Sequence, residues 1–552
     1  MKRNIILKVL IGSIYLFTGC TDSDPVFEDT ELELDIDSVV FTYKGEEVEF
    51  DFKITPANIE FDYDVNSPGC QISLEYTDLH DNGIGEKEKP VVLYEVKEKL
   101  DSKGTPLPGQ YTIKLKDSGD NLFSYKESVY IKLCVMDMKG ELVDLSSAPF
   151  IIEYTGYDYL SPDGEFPVIL ISTPSAIVSK DTWTDQCEME IRNDDSSVLQ
   201  IFKNVNIKGR GNTTWYQPKK PYAIKLDKKE EIFGFPKHKR WVLLANYFDK
   251  TNLRNEIAFC LSRLSGGQLD RGLDYTPRSK FVRIIMNGKY QGLYLFTEQI
   301  KIDENRVDAG DDGFLVEIDS RAGSDPDDIY FTIPHMKYPV VIKDPDVIAG
   351  DENYLYIEDY LTRTAETLFS DNFSDPTEGY RKYIDLPSFI DWYIVNEITK
   401  NSDATFYSSC FMNLKRNGKL KMGPVWDFDL ALGNYPDSFS NESHVSFMND
   451  PEGFYVKNVS WFARIFSDPE AVGLLKERFS FFYVNRYEVI GYLDSLRDSI
   501  VRMVPENDFI WHFYSDPFSG ELTRSSFIKD CNDLRSWLEQ RYEWLHMEIE
   551  KL

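Results

Sequence analysis

Histidine and cysteine are scarce in this chain, with six His and seven Cys among 552 residues. The histidines are scattered from His80 to His546 and no CxxC pair occurs, which removes the usual zinc and dithiol frameworks. Apart from Cys20, the six remaining cysteines lie tens of residues apart, too sparse for a disulfide scaffold, and they read as buried free thiols. Basic residues are also in deficit: 61 Lys and Arg against 93 Asp and Glu leave a formal charge of −32. A general phosphate-backbone binder needs a basic footprint, so DNA and RNA are excluded as partners. Beyond the first twenty residues no apolar run approaches the ~18 residues of a membrane span. GxxxxGK[ST], GxSxG and HExxH are absent, and with them the local signatures of P-loop hydrolysis, α/β-hydrolase chemistry and zinc proteolysis. GxGxxG and HRD are missing as well, so an ordinary protein kinase is not indicated. Glycoside hydrolysis needs only two carboxylates placed in space, and the sequence neither supports nor excludes it.

What is present is a long, core-forming chain. Single cores stop growing near roughly 250–300 residues, so 552 residues imply two or three domains, and 42% hydrophobic residues can fill them. Residues 1–20, MKRNIILKVLIGSIYLFTGC, combine Lys2, Arg3 and Lys8 with a short apolar stretch, as in a secretory leader. The ending Phe17-Thr18-Gly19-Cys20 is similar to a bacterial lipobox, with Phe17 where Leu is usual. This implies acylation of Cys20 and a mature protein held to the cell envelope, at the outer membrane or cell surface, by lipid alone. A plain secretory peptide cut near Gly19 is the alternative. Residues 21–30 form an acidic linker.

Residues 31–155 carry strand periodicity: Val48, Phe50, Phe52 and Ile54 alternate with charged residues, and the pattern returns at 111–115 and 129–135. Short strands without helical stretches indicate an immunoglobulin-like β-sandwich. The Gly- and Pro-containing stretch 154–167 marks a domain boundary, and 165–552 is mixed α and β. Within it, residues 168–171 read as a buried strand and residues 281–297 as a hairpin about Asn287-Gly288. Residues 253–264 read as a helix, and a capping box at Ser388 opens another that runs to Lys400. At the carboxyl end Ile528, Cys531, Leu534, Leu538, Leu545 and Ile549 form a helical stripe.

Two segments carry chemistry. In residues 205–226 Gly209 and Gly211 flank Arg210, and Lys225 projects from a short strand; a glycine turn followed by a strand lysine can cradle phosphates. The surrounding window 201–250 holds twelve basic residues against four acidic ones. In residues 394–434 a helix ends in the loop Asn401-Ser-Asp403, and a hairpin about Asn417-Gly418 leads to Asp427 and Asp429. If the second strand, 419–427, continues, both carboxylates face one side, a set of hard oxygen donors suited to a divalent cation. Asx residues after a helix also serve as plain caps. Residues 303–328 hold ten Asp and Glu, open to calcium or to solvent.

GRGNTTW, KKPYAIKL, WVLLANYFDKTNLRNEIA, GKYQGLYLFTEQI and GPVWDFDLALGN together resemble, in order and spacing, the CotH kinase family, named for a spore coat protein. The likeness covers about residues 165–480. It implies an α+β fold: an atypical, protein-kinase-like two-lobe CotH domain over 165–552, behind the β-sandwich. It implies ATP and Mg²⁺ or Mn²⁺ as cofactors, and in some members phosphorylation of a partner protein. By the same resemblance Lys225 contacts phosphate, Glu256 is a candidate to pair with it, and Glu298 lies between the lobes, although Arg254 and Asn255 match the motif better than Glu256. Asp403 resembles the catalytic-loop aspartate, Asn401 an orienter or metal ligand, and Asp427 and Asp429 the metal-binding pair. Other members are adhesins or invasins, so a catalytically silent surface lipoprotein binding a glycan or protein is the alternative to a phosphoryl transferase.

Overall fold

The computed structural model describes residues 31–34, 38–41, 47–55, 71–76, 92–117, 127–136, 142–147, 150–154, 166–193, 197–268, 272–511, 513–514 and 520–552. The leader with Cys20, the linker 21–30 and boundary residues 155–165 lie outside them.

Among the described residues nine strands precede the boundary: β1 (Glu31–Leu34), β2 (Ser38–Phe41), β3 (Glu47–Thr55), β4 (Gln71–Tyr76), β5 (Val92–Leu100), β6 (Pro106–Asp117), β7 (Glu127–Met136), β8 (Leu142–Ser146) and β9 (Phe150–Tyr154). They form two sheets, β1-β3-β6-β5 and β2-β9-β7-β4, with β8 paired to β7. The period-2 reading holds at side-chain level: Phe50, Phe52 and Ile54 of β3 and Tyr111, Ile113 and Leu115 of β6 are buried.

Seven strands follow: β10 (Val168–Ser172), β11 (Thr184–Arg192), β12 (Val198–Gly209), β13 (Tyr222–Ile232), β14 (Phe235–Leu244), β15 (Ser279–Met286) and β16 (Lys289–Glu298), with helix α1 (Arg254–Gln268) between β14 and β15. They close a barrel in the order β10-β11-β12-β13-β14-β16-β15, shut by the parallel pair β10/β15. Alternate side chains such as Ile171, Ile191, Ile207, Ile224, Trp241 and Phe296 fill its interior. On β14, β15 and β16 the opposite face is buried too, with Val242, Leu244, Phe281 and Leu295 joining a second, larger core. These strands therefore read as unbroken apolar runs rather than alternating ones.

That second core is built on the sheet β18-β19-β17-β20-β21, whose strands are β17 (Phe314–Ile318), β18 (Tyr330–Phe331), β19 (Val340–Asp344), β20 (Cys410–Leu414) and β21 (Leu420–Met422). Helices α2 (Glu352–Leu368), α3 (Leu386–Thr399), α4 (Glu442–Asn449), α5 (Ser460–Ile465), α6 (Pro469–Val484), α7 (Arg486–Ile500), α8 (Val504–Trp511) and α9 (Gly520–Ile549) complete it. The buried helix α3 lies at its centre, packed against α1, α6 and α9.

Local details depart from expectation. The cap of α3 is Asp385, whose carboxylate accepts the Ser388 N–H at 3.0 Å, so the helix begins before the capping box. Asp391 is drawn instead into a buried ion pair with Arg478 of α6. Strand β21 stops at Met422, and Gly423-Pro424 follows. Proline cannot continue the ladder, so strand alternation does not place Asp427 and Asp429. On α9 Cys531, Leu534, Leu538, Leu545 and Ile549 are buried, but Ile528 is exposed. Cys187, Cys410 and Cys531 are buried free thiols and Cys260 is a half-buried one. Among the described residues no helix is long and apolar enough to cross a membrane.

Candidate functional site

A cleft of about 680 Å³ opens where the barrel meets the second sheet. Its wall contains Arg210, Gly211, Asp403, Asp427 and Asp429, five of the residues singled out from sequence, from segments some 200 positions apart.

The barrel side is shaped by the turn after β12. Gly211 has φ +79°, and a Cβ there would meet the Thr214 hydroxyl at 2.3 Å; a Cβ on Gly209 would enter the Trp215 ring. Both glycines thus serve a tight turn that leaves Arg210 half-buried in the cleft, its guanidinium 5.4 Å from the Trp426 ring centroid. Burial lowers the Arg210 pKa, opposed by the negative charges of Asp427, Glu317 and Asp429.

The opposite wall is acidic. Asp403 follows the left-handed Lys400 that ends α3, and its N–H donates to the Asn401 side chain at 3.2 Å. Its carboxyl is pushed up to about 8 by burial and then by Asp427, with Arg321 opposing. Asp427 and Asp429 are raised also, burial being the first cause for each, with the neighbouring carboxylates adding to it at Asp429 and Arg210 opposing it at Asp427. Asp427 holds φ +65° and Ser409, also on the wall, +56°, strained values for non-glycine residues that recur at functional sites.

The loop bearing Asp427 and Asp429 is fixed from behind by the first residues of α1. The Phe428 N–H donates to the Asn255 side chain at 2.8 Å, and Arg254 donates to the carbonyls of Ala431 and Leu432 at 3.1 and 3.4 Å. Asp249 is 1% exposed and pairs with Arg254 at 2.5 Å, so the guanidinium is held on both sides. Arg254 and Asn255 are therefore positioning residues for the aspartate loop.

Several expected site residues lie elsewhere. Lys225 shares the outward face of β13 with Ala223, but only Ala223 belongs to the cleft wall; Lys225 stands two residues further, paired with Asn206 and Arg240. Glu256 contacts Arg263, Ser279 and Tyr492, not Lys225. Glu298 is fully buried among Tyr275, Arg278 and Arg306. Asn401 is spent on local bonds to Asn396 and Asp403. Of the twelve basic residues in 201–250, only Lys208 and Arg210 reach the cleft.

The sequence reading missed Arg321, Lys343 and Glu317. Glu317 of β17 and Lys343 of β19 form an ion pair at 3.2 Å on the cleft wall, and the Glu317 carboxylate also accepts the Ser409 N–H at 3.2 Å. Arg321 donates to the Thr213 hydroxyl at 3.2 Å, tying the two walls together. Arg321 and Glu317 sit within the acidic run 303–328, which hid their signal; of its ten Asp and Glu, Glu317, Asp319, Asp325 and Asp328 line the cleft rather than standing free in solvent.

Among the described residues no three His, Cys, Asp or Glu side chains converge into a ready-made metal shell. The donor set nonetheless fits a hard divalent ion of the Mg²⁺ type, which takes one or two carboxylates and completes its shell with water and substrate phosphates. Arg210, Arg321 and Lys343 face the same space and suit the phosphates themselves.

No curated protein matches the chain. One solved structure, BcpA, the major pilin subunit of Bacillus cereus, is similar over 38% of this chain and 62% of its own, at 11% identity and a TM-score of 0.15. That likeness spans less than two thirds of the pilin and carries no argument about fold. The family model described as CotH kinase protein matches residues 207–545, which takes in Arg210, Arg321, Asp403, Asp427 and Asp429 of the cleft. The chain belongs to the CotH kinase family.

Proposed function

We propose that this chain is a metal-dependent phosphoryl transferase that takes ATP as donor and a hydroxyl on a surface or exported protein as acceptor. The observation that carries the reading is the convergence of Asp403, Asp427 and Asp429 with Arg210 and Arg321 in one cleft. Such catalysis is mostly positioning and charge neutralisation, and the cleft has groups of both signs for it. Asp427 and Asp429 would hold Mg²⁺ or Mn²⁺, which supplies neutralisation of the donor phosphates when bound. Arg210, Arg321 and Lys343 bind and orient those phosphates. Asp403 orients the acceptor hydroxyl and takes its proton on a carboxylate oxygen. Family membership supports a two-lobe, kinase-like arrangement, with the barrel as one lobe and the second sheet with its helices as the other; the amino-terminal pair of sheets is read as an immunoglobulin-like sandwich. The leader supports a lipid anchor at Cys20 and a place at the cell envelope.

The test is incubation of the purified protein with γ-labelled ATP and Mg²⁺ or Mn²⁺ beside Asp427→Ala. Label transfer or nucleotide binding by the wild type, reduced at least a hundredfold in the variant, is the expected result. Absence of both from the wild type would overturn the proposal and leave the surface-binding reading.

A further inference from the structure

Several lysines of the basic window 201–250 are already engaged: Lys203, Lys228 and Lys229 are paired with Glu188, Glu230 and Asp303, and Lys219 is enclosed. Lys208 of β12, Lys225 of β13 and Arg240 of β14 form no ion pair among the described residues. Arg240 feels the charge of Asp346, against the burial that lowers its pKa, without closing a pair with it. The register brings these cations together. Asn206, Lys225 and Arg240 stand opposite one another across β12, β13 and β14, and Lys208 is two residues along β12, so all three cations share the outward face. The ring centroid of Trp183, just before β11, lies 5.2 Å from the Lys208 Nζ and 4.9 Å from the Arg240 guanidinium carbon, with a cation on each side. All four side chains are half-buried. Lys208 is on the cleft wall, and Lys225 and Arg240 continue outside it, so the strip leads out of the cleft.

In a chain of charge −32 carboxylates are plentiful, yet these cations have none within ion-pair distance. Two strand spacings, about 10 Å, separate β12 from β14. A single phosphate is too small to bridge that span, whereas an extended chain rising about 3.3 Å per residue covers it with acidic side chains a few positions apart. The cations and the ring are recessed, so one chain lying along the strip meets them better than a flat lipid surface does. We infer that Lys208, Lys225 and Arg240, with Trp183, dock an acidic segment of the acceptor protein and so bring its hydroxyl to the cleft. Charge complementarity gives such a site specificity and a fast, salt-dependent approach. The inference rests on the proposed transferase function in calling that partner an acceptor, and adds the class of sequence carried beside the hydroxyl.

The probe is a fluorescent peptide alternating Ser and Glu, beside one alternating Ser and Gln, titrated with the full chain by anisotropy without nucleotide. The expected result is binding of the Glu peptide at least about tenfold tighter than of the Gln peptide, weakening as salt rises. Lys225→Gln combined with Arg240→Gln should remove most of that preference; the Arg240 carbonyl that accepts from Arg306 is left in place. Lys225→Gln alone, at a side chain with no ion pair to lose, should weaken the Glu peptide about threefold. Lys239→Gln removes the same charge from the neighbour of Arg240, on the opposite face of β14, and should leave the affinity within about twofold. Equal binding of the two peptides by the wild type overturns the inference, as does an equal loss in Lys239→Gln, which is the mark of unspecific charge attraction. Binding to phosphatidylserine vesicles that the double variant loses, without binding of the Glu peptide, overturns it in favour of a membrane contact. Glu-peptide binding by a protein that transfers no label from ATP keeps the docking strip and removes the transferase reading. Label transfer to both peptides at equal rates keeps the transferase and overturns the strip.

Discussion

Asp403 shows how much of the chemistry is set by surroundings rather than by residue type. An exposed aspartate titrates near 3.9, but burial and the neighbouring Asp427 push this carboxyl up to about 8. The folded chain therefore keeps a proton that the unfolded chain releases once the pH passes about 4. The stabilisation attached to that proton is complete below about pH 4 and is lost as pH rises through about 8. Asp403→Asn mimics the protonated side chain at every pH and should remove this dependence. The variant is expected to match wild type near pH 4.5 and to exceed it by about 1–3 kcal/mol at pH 8, several degrees in melting temperature. Thermal melts at three pH values check this, and parallel curves for the two proteins would rule it out. In catalysis the same carboxyl must lose its proton to act as a base, which a cation beside Asp427 favours.

The strand-and-turn elements around the cleft were legible where local physics decides them. Asn287-Gly288 marked the β15/β16 hairpin, because its residues take the left-handed turn conformation at φ 51° and 75°. The aspartate loop was legible only in composition. Its geometry depends on Asn255 and Phe428, 173 positions apart, and on Arg254 reaching carbonyls of residues 431 and 432; no periodicity in the sequence reports such a contact. For the same reason Lys225 looked like the phosphate-contacting lysine of its strand, while Arg321 and Lys343, which line the cleft, sat among unremarkable charges. The element-level prediction concerns the support rather than the site. Asn255→Ala leaves the Phe428 N–H without its acceptor and removes one restraint on the strained Asp427 backbone. A stability loss of about 1–3 kcal/mol is expected, with affinity for Mg²⁺-nucleotide falling about tenfold although no charge in the cleft has changed. Denaturant unfolding and calorimetric titration of the same preparation check both halves; unchanged affinity would remove Asn255 from the positioning role.

Across the whole molecule the charge of −32 says little about the site, because the cleft brings both signs together from distant segments. The carboxyl-terminal helix was legible from its apolar stripe, but its link to the chemistry was not. Arg541 of α9 is fully buried and donates to the Glu397 carbonyl at 3.1 and 2.8 Å, to its carboxylate at 2.8 Å, and to the carbonyls of Pro451 and Gly453 at 2.7 and 2.8 Å. Glu397 in turn accepts the N–H groups of Tyr455 and Lys457, and the Tyr455 hydroxyl donates to the Ser402 carbonyl at 3.0 Å, beside Asp403. One guanidinium thus joins the last helix, the end of α3 and the loop carrying Asp403. Removing it leaves the Glu397 carboxylate buried without its cation, a change that costs about 3–5 kcal/mol in comparable pairs. Arg541→Ala should therefore melt roughly 4–6 °C below wild type, given a domain of this size. Arg541→Lys should recover little of that, because one ammonium cannot reproduce the planar fork serving four acceptors. Differential scanning calorimetry decides the matter: an alanine variant melting within two degrees of wild type would mean that α9 is held by its apolar face alone and that the Asp403 loop does not depend on it.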